Sequence, residues 1–316
     1  MMTQALVKTE INLESKNETI HGKVWGQKTE EIKFRHSRFN GLVLLPYMTE
    51  ERMNLLAEFP TRDGDVYVVT YMKSATTWLA QIIREIAKPT MPEGLTEEDV
   101  LGGTVPCLEA ANFQHLAAYP SPRHMVTHLP YSLTPKNSQQ NLKYIYNARN
   151  PRDVAVSMFH YMRVLEKLDW DGTWDEFLGY FMKGDVPYGS YFDHVLEWWA
   201  HRNDENVLFL KYEDLKKAPV EYITKIAEFL GYSLSRQEAE RVSEECSFSA
   251  MKANKNTNYD RYRHQIYKKE SDFNFMRKGI VGDWQNHFSH EQLAEFNQLY
   301  ASRMNGTGLD FEFTIQ

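Results

Sequence analysis

The sequence predicts a single α/β domain with a central parallel sheet flanked by helices. Four short runs rich in β-branched and aromatic residues have the length of buried strands, and helical patterns lie between or after them. Strands that alternate with helices indicate a parallel sheet covered on both faces. The 316 residues are 42% hydrophobic and 25% charged, which is ordinary for a globular chain with a sizeable core.

The first strand is predicted at Val66–Val69, a short run of β-forming residues. It leads into a tight turn, and the turn opens a helix whose apolar residues recur at helical spacing from Leu79 to Ile86. Pro89 ends that pattern because proline cannot continue a helix. A short helix at 50–58 is predicted ahead of the strand.

Three more strands and four more helices are predicted further along the chain. The strands are Arg123–His128, Leu142–Asn147 and Asn206–Lys211. The helices are Asp153–Lys167, Thr173–Met182, Ser190–Arg202 and Val220–Leu230. Pro219 suits the first position of the last helix, and Gly231 suits the position just after its end.

Two segments carry no regular pattern. Residues 1–40 are polar and lack periodicity, so we predict an N-terminal arm there and a single domain at 41–316. Residues 89–121 are rich in Pro, Gly and Thr and are predicted to be a long irregular segment. Long loops in compact domains tend to be functional or mobile, so this segment is a candidate border of a binding site.

Charge and cysteine content exclude several classes of function. The net charge of −7 argues against general nucleic-acid binding but permits a local anion pocket. Two cysteines are too few for a disulfide framework or a cysteine-based zinc site. The sequence has no signal-like apolar run, and no stretch approaches the roughly 20 apolar residues of a membrane span. We therefore predict a cytoplasmic protein without nucleic-acid or membrane partners.

The turn after the first strand has the composition of an anion site. It carries a lysine and three hydroxyl residues, Lys73, Ser74, Thr76 and Thr77, where the next helix begins. Backbone N–H groups there have no intrahelical partner and the helix dipole is positive, so phosphate or sulfate is favoured. The alternative is an ordinary turn with Thr76 or Thr77 as N-cap and Lys73 in solvent. The turn alone leaves both interpretations open.

Polar residues at the ends of the predicted strands favour the anion site. Ligands of open α/β sheets bind outside the carboxyl ends of the strands. The residues at those ends are Lys73, His128, Arg149 and Tyr212. Their side chains are therefore expected to converge on one crevice beside the turn.

These residues belong to motifs that resemble the cytosolic sulfotransferase family. The motifs are Thr70–Trp78, Thr127–Pro130, Tyr146–Ser157, Tyr212–Leu215, and Phe275–Gly279 with Gly282–Trp284. They occur in the family's order and spacing from about residue 60 to about residue 290. The resemblance implies transfer of a sulfuryl group from 3′-phosphoadenosine 5′-phosphosulfate (PAPS) to a hydroxyl or amine of a small molecule. The product nucleotide is 3′-phosphoadenosine 5′-phosphate (PAP), no metal is required, and the first turn becomes a P-loop-like phosphosulfate-binding turn.

The resemblance assigns the chemistry to His128 and Lys73. His128 occupies the family's catalytic position, and an imidazole with a pKa near neutrality is the right group to accept the proton of the acceptor. Lys73 is placed to neutralise charge on the departing phosphate. In-line transfer with His128 as base is the predicted mechanism.

The resemblance also implies the residues that hold the nucleotide. They are Lys73, Ser74, Ala75, Thr76, Thr77, Trp78, Arg149, Ser157, Tyr212, Cys246, Phe248, Arg277, Lys278 and Gly279. Those at 73–77 serve the 5′ end, and Arg149 with Ser157 binds the 3′-phosphate under a loop at 277–279. Trp78 and Phe248 sandwich adenine, and Tyr212 hydrogen-bonds the purine. Guanidinium forks and flat aromatic faces suit phosphate and purine respectively.

Several positions depart from the family pattern. Met72 and Ala75 replace the usual proline and glycine of the turn, and alanine adopts a positive φ less readily than glycine. Val126 replaces a lysine two residues before the histidine and so removes one cation from the reaction centre. Cys246 stands where a threonine or serine often holds adenine.

The predicted acceptor site lies beside the crevice. Its candidate residues are Cys107, Phe113, Tyr131, Trp174, Tyr188 and Tyr191. Cys107 and Ala110 replace phenylalanines of phenol-preferring members, which predicts a wider and less aromatic gate. The short C-terminal dimer motif of the family is largely replaced, by Gln285, Ser289, His290 and Ala294, so that dimer is not predicted.

Three alternatives remain open at this level. A nucleotide kinase would also carry a lysine in the first turn, but it needs G-x-x-x-x-G-K-[ST] and this turn has no glycine. A protein that binds PAPS or an aromatic ligand without chemistry is the second. An enzyme that sulfates an alcohol and then eliminates sulfate is the third.

Overall fold

A four-stranded parallel sheet forms the centre of the computed structural model, which describes residues 28–90, 105–258, 266–269 and 274–314. A small antiparallel pair precedes it, β1 (Ser37–Phe39) and β2 (Leu42–Leu44). The sheet contains β3 (Val66–Val69), β4 (His124–Thr127), β5 (Lys143–Ala148) and β6 (Val207–Lys211). Their spatial order is β4–β3–β5–β6, and each neighbouring pair is parallel. The predicted α/β fold with a central parallel sheet is confirmed.

Helices cover both faces of this sheet. They are α1 (Glu50–Ala57), α2 (Thr76–Ala87), α3 (Phe113–Ala118), α4 (Pro151–Val164), α5 (Trp174–Lys183), α6 (Tyr191–Ala200), α7 (Tyr212–Lys217), α8 (Pro219–Leu230), α9 (Arg236–Glu245), α10 (Phe248–Ala253) and α11 (His290–Met304). The sequence predicted α1, α2, α4, α5, α6 and α8 to within a few residues, and it missed the other five. Pro151 and Pro219 occupy first helical positions, where the missing N–H costs no hydrogen bond.

The sheet has one apolar core on each face, because successive side chains of a strand point to opposite faces. Val66 and Val68 pack with α2, α8 and α9 on one face of the sheet. Tyr67 and Val69 belong to a larger, aromatic-rich core on the other face. Fully buried strands on both faces are what a parallel sheet requires.

Part of the predicted N-terminal arm packs on the domain. Ile32 and Phe34 have no exposed surface, and the Phe34 ring meets Trp170 and Tyr180 edge to face. Their alternating positions bury one side of an extended segment that leads into β1. Residues 1–27 of the arm, and 91–104 of the predicted irregular segment, lie outside the described residues.

Strand register brings the carboxyl ends of the sheet level with each other. Val69 pairs with Thr127 on one side and with Tyr146 on the other. Ala148 pairs with Lys211 at the end of β6. The segments that follow the four strands therefore leave the sheet along one edge, where the site was predicted.

Candidate active site

The turn between β3 and α2 has an unusual backbone. Lys73 and Ala75 both have a positive φ, +71° and +67°. Ala75 directly precedes α2 in a left-handed conformation, and its side chain makes no capping hydrogen bond. Thr76 and Thr77 begin the helix, so neither is the N-cap of the alternative interpretation. Thr76, Thr77 and Trp78, the first residues of α2, line the cavity, and N–H groups at the start of a helix have no intrahelical partner.

The strained turn is held by groups from β5, from the residue just after it and from the end of β3. Asn147 donates its side-chain N–H to the carbonyl oxygen of Ser74 at 2.7 Å. Arg149 donates to the carbonyl oxygen of Lys73 at 3.3 Å. A side-chain contact of 2.6 Å between Thr70 and Thr76 closes the other side of the turn. Two residues with positive φ persist because the surroundings fix them.

The Lys73 ammonium group lies between two aromatic rings. Its Nζ is 4.0 Å from the ring centroid of Tyr161 and 4.3 Å from that of Phe275. Burial lowers the pKa of Lys73 to about 7, and the nearby cations Arg149 and Arg277 act in the same direction. The side chain is therefore close to its titration point at neutral pH.

His128 follows β4 and is fixed on three sides. Its Nδ1 is 2.9 Å from the carbonyl oxygen of Thr70, so Nδ1 carries the hydrogen and Nε2 keeps a lone pair. The His128 backbone N–H donates to Glu109 Oε1 at 2.5 Å, and its carbonyl oxygen is 3.0 Å from His194 Nε2. Burial lowers the pKa of His128, with Lys73 adding to it, while Glu109 and the Thr70 carbonyl act in the opposite direction. The ring is thus neutral at pH 7 and able to accept a proton.

Cations gather at the end of the cavity predicted for the 3′-phosphate. Arg149 donates to the carbonyl oxygen of Ile280 at 3.1 Å. Arg277 and Lys278 both pair with Asp283, at 2.6 and 2.5 Å. Burial raises the pKa of Asp283, but the hydrogen bonds from Lys278 and Arg277 outweigh it and hold the pKa well below its usual range. Three cations against two carboxylates, Asp283 and the Asp153 near Arg149, leave positive charge for a phosphate.

The loop after residue 274 is tied to α4 by one buried carboxylate. Asp153 accepts hydrogen bonds from the backbone N–H groups of Gly282, at 2.8 Å, and Trp284, at 3.0 Å. It is also 3.8 Å from the Arg149 guanidinium. Asp153 therefore fixes the distance between Ser157, on the same helix, and the Arg277–Gly279 segment.

Aromatic side chains surround the end of the cavity that was predicted to hold adenine. The rings of Trp78 and Tyr212 meet edge to face at 5.5 Å. Gly279 has a φ of +65°, and a Cβ added there would overlap the ring of Phe248. Burial raises the pKa of Cys246 to about 12, so this residue is a neutral thiol. The glycine allows the loop to lie directly against an aromatic face.

One cavity of about 470 Å³ joins these groups. The predicted residues that line it are Lys73, Ala75, Thr76, Thr77, Trp78, Cys107, His128, Arg149, Ser157, Tyr188, Tyr212, Cys246, Phe248, Arg277, Lys278 and Gly279. Ser74 is fully buried under the turn and is not among the described lining residues. The cavity therefore brings together an anion-binding turn, a histidine and a second cationic cluster.

Four of the predicted acceptor residues lie away from the described lining. Phe113 packs against Phe59, and Tyr131 stacks on His201. Trp174 donates to Gln292 and packs among aromatic rings of α5 and the segment before α11. Tyr191 is buried and donates to the carbonyl oxygen of Arg149. These four placements share a reason, because long-range packing sets the ring direction of an aromatic residue that is near a crevice in sequence.

Other residues of the site were missed by sequence reasoning. Tyr161 lies on α4 four residues after Ser157, and that spacing places both on one helix face. Phe275 lies two residues before Arg277 and also lines the cavity. Leu45, Tyr47 and Glu109 had no local signal, because they reach the site only through the packing of distant segments.

Within residues 28–90, 105–258, 266–269 and 274–314, no group of three or more His, Cys, Asp or Glu side chains is arranged to hold a metal ion. No helix in that part of the chain has the length and apolar character needed to span a membrane.

Comparison with known proteins gives consistent matches. A family model described as a sulfotransferase domain matches residues 63–308. Mouse sulfotransferase 1B1 is 40% identical over 269 residues, which cover 83% of this chain and 89% of that protein.

Solved structures give the same match. Mouse sulfotransferase SULT7A1 complexed with PAP aligns with a TM-score of 0.70 and 36% identity, over 85% of this chain and 94% of that one. A retinol dehydratase in complex with androsterone and the inactive cofactor PAP aligns with a TM-score of 0.70 and 31% identity, over 83% and 86% of the two chains.

Proposed function

The chain belongs to the sulfotransferase family, and from this membership we propose that it moves the sulfuryl group of PAPS to a hydroxyl or amine of a small-molecule acceptor. The observation that carries the proposal is the position of Lys73 and His128 on one cavity, with Arg149, Arg277 and Lys278 around its far end. PAPS carries two distinct anionic groups, the phosphosulfate and the 3′-phosphate. His128 and Lys73 suit the first, and the separate cationic cluster suits the second.

The residues present fit that nucleotide. The turn at 73–77 offers N–H and hydroxyl donors for the 5′ group, as a helix N-terminus does for phosphates. Arg149, Ser157 and the segment at 277–279 offer donors and positive charge for the 3′-phosphate. Trp78, Tyr212 and Phe248 offer flat faces for adenine, with Cys246 beside them. Two solved relatives whose structures contain PAP support this assignment.

Bound PAPS supplies a sulfuryl group attached to a phosphate leaving group. His128 Nε2 accepts the proton of the acceptor hydroxyl, whose electron pair stays on oxygen as the attacking group. Lys73 provides positive charge on the phosphate side, and a nearby anion favours its protonated form. Hydrogen bonds from Asn147 and Arg149 keep the turn in place during transfer.

The acceptor end of the cavity is mixed in character. Its lining includes Tyr47, Cys107, Val126, Tyr161 and Tyr188, together with the small Ala110. Position 126 is a valine and carries no charge. Among the lysines of the described lining, Lys73 is the one whose charge acts on His128. This lining suits a flat or elongated apolar acceptor that carries a hydroxyl, and phenols, alcohols, steroid-like compounds and amines all form test classes. The cytoplasmic location and the lack of the usual family dimer stay predictions of the sequence.

The proposal is tested with labelled PAPS, the purified full chain and a panel of phenol, alcohol, steroid-like and amine acceptors. Formation of PAP together with a sulfated product supports it. Label that remains on PAPS with every acceptor, while PAP binds, would favour a binding protein without chemistry. Phosphoryl transfer from ATP with magnesium would instead favour the kinase alternative.

The mass of the product distinguishes simple sulfuryl transfer from sulfation followed by elimination. The chain is 31% identical to a retinol dehydratase, so an allylic alcohol belongs in the panel. A product lighter than its alcohol by one water, formed with free sulfate, would assign sulfation followed by elimination. A stable sulfate ester would assign simple transfer.

A further inference from the structure

A buried carboxylate lies directly behind the histidine of the cavity. Glu109 is 1% exposed, and its Oε1 accepts the backbone N–H of His128 at 2.5 Å. Its other oxygen, Oε2, is 3.6 Å from the Cys107 thiol. Within the described part of the chain, no side-chain nitrogen of a lysine, arginine or histidine forms an ion pair with this carboxylate within 4 Å. A buried charge without a direct partner costs stability, so a functional reason for it is expected.

The segment that carries Glu109 is held rigidly against β4. Leu108 N–H donates to the Val126 carbonyl oxygen at 2.9 Å, and Val126 N–H donates to the Pro106 carbonyl oxygen at 2.8 Å. Arg52, itself 3% exposed, donates to the carbonyl oxygens of Leu108, Glu109 and Ala111 at 2.7–3.0 Å. The position of the carboxylate relative to His128 is therefore fixed from two sides.

The charges around His128 are unbalanced in the direction that opposes protonation. Lys73 faces the ring from the turn after β3 and, like burial, lowers its pKa. His194 of α6 lies behind the backbone and is neutral, because burial lowers its pKa to about 4. The Tyr188 ring lies 5.3 Å away, and burial raises its pKa, so it is also neutral. Glu109 is the charged group among these that favours a positive imidazole, and the hydrogen bond to the Thr70 carbonyl oxygen acts in the same direction.

Three more titratable groups interact with Glu109: Arg52, Cys107 and Tyr47, and the Tyr47 phenol is neutral because burial raises its pKa well above the usual range. The Arg52 guanidinium interacts with the carboxylate at longer range, and this attraction partly offsets the lowering of the Arg52 pKa by burial. The Cys107 thiol is neutral, because burial raises its pKa well above the usual range. The carboxylate therefore lies between the Arg52 guanidinium, which attracts it, and the backbone N–H of His128, which donates to it.

We propose that Glu109 is a positioning residue that anchors His128 and supplies the negative charge opposite the imidazolium formed during transfer. The proposal rests on the proposed function. When the acceptor proton moves to Nε2, the ring gains one positive charge beside Lys73. The Glu109 carboxylate offsets that charge by electrostatic attraction, which water screens little because the carboxylate is buried. Oε1 keeps the backbone of His128 in place throughout.

The test compares Glu109→Gln with the wild-type chain in the PAP complex. Glutamine keeps the oxygen that accepts the His128 N–H and removes the charge. The ring of His128 is titrated by NMR on histidine-labelled protein, and we expect its pKa to fall by about 1 pH unit. In the assay, the acidic limb of kcat/KM moves to lower pH by the same amount, and the plateau falls about 10-fold. The Kd of PAP stays within about twofold.

Two further variants separate the effect of the Glu109 charge from a general effect of substitution on the fold. Glu109→Asp keeps the charge on a shorter side chain, so the His128 pKa stays near the wild-type value even if the plateau falls. Glu85→Gln removes another buried carboxylate, on α2, and leaves the His128 pKa unchanged. An unchanged His128 pKa in Glu109→Gln overturns the proposal, as does an equal shift in Glu85→Gln. If Glu109→Gln shifts the His128 pKa but the wild-type protein transfers no sulfuryl group, the result counts against the proposed function instead.

Discussion

The Nδ1 atom of His128 lies 2.9 Å from the backbone carbonyl oxygen of Thr70. A carbonyl oxygen only accepts hydrogen bonds, so this contact selects the Nδ1–H tautomer and leaves Nε2 as the basic nitrogen of the ring. Thr70 is the first residue after β3, and His128 is the first after β4. The parallel pairing of β3 with β4 therefore sets the tautomer of the proposed base.

Replacing His128 by alanine removes that base. Turnover with PAPS is expected to fall about 10²- to 10⁴-fold, the usual contribution of a general base, while PAP affinity stays within about twofold. His115→Ala is the matched control, because His115 is exposed on α3 and does not line the cavity. Steady-state kinetics and PAP titration check both variants. Turnover in His128→Ala equal to that of the control would remove His128 from the mechanism.

Binding of PAP is expected to draw a proton onto Lys73. With a pKa of about 7 in the free chain, Lys73 is only about one-tenth protonated at pH 8. A bound phosphate favours the charged form, so close to one proton is taken up on binding. Calorimetry at pH 8 in buffers of different ionisation enthalpy measures this number. Lys73→Met should abolish the uptake, and a wild-type heat that does not depend on buffer would contradict the assignment.

The close approach of Gly279 to Phe248 gives a prediction about nucleotide affinity. In Gly279→Ala the new Cβ overlaps the Phe248 ring, so PAP is expected to bind at least about 10-fold more weakly. Gly306→Ala is the control, since Gly306 also has a positive φ but a Cβ added there would meet no atom of a described residue within 4 Å. Both variants lose stability through backbone strain. Equal PAP affinity in the two variants would separate Gly279 from the nucleotide site.

Ala75 tests the strain in the turn. Its φ of +67° costs an L-residue about 1–2 kcal/mol, partly offset because glycine has more freedom in the unfolded chain. Ala75→Gly should therefore raise the free energy of unfolding by about 0.5 kcal/mol. Ala294→Gly, at an exposed position inside α11, should lower it by about 1 kcal/mol. Urea unfolding of both variants checks the opposite signs, and a loss of stability in Ala75→Gly would contradict a strained turn.

His124 makes the fold sensitive to mild acid. Its ring is 6% exposed, both ring nitrogens lack a hydrogen-bond partner among the described residues, and burial lowers its pKa from 6.5 to about 4. Between these values the unfolded chain binds more protons than the folded one, so stability is lost as the pH falls from 6.5 towards 4.

Between pH 7 and pH 5 this single group is expected to remove about 2 kcal/mol of unfolding free energy. His124→Leu should reduce the loss by that amount, and exposed His115→Leu should not. Urea unfolding at the two pH values measures the difference. An equal loss in both variants would show that the acid sensitivity lies elsewhere.

Local patterns predicted the parts of the site that short-range chemistry determines. The strand at Val66–Val69 and the turn after it are visible in a few adjacent residues, because β-branched runs and helix starts follow local rules. The rule for carboxyl ends then brought Lys73, His128 and Arg149 to one edge, and the structure places all three on the cavity. The tight turn around Ala75 was also predicted, but its left-handed backbone is known only from the structure.

The sequence by itself thus determined the four strands of the sheet, six of the eleven described helices, the edge that carries the site and the residues on the turn. Tertiary structure alone decided which aromatic rings face the cavity: Tyr161 and Tyr188 do, whereas Trp174 and Tyr191 turn into the core. It also decided that Glu109 reaches His128. The physical reason is that strand ends follow from local backbone preferences, while the direction of a side chain depends on contacts between segments that are distant in the chain.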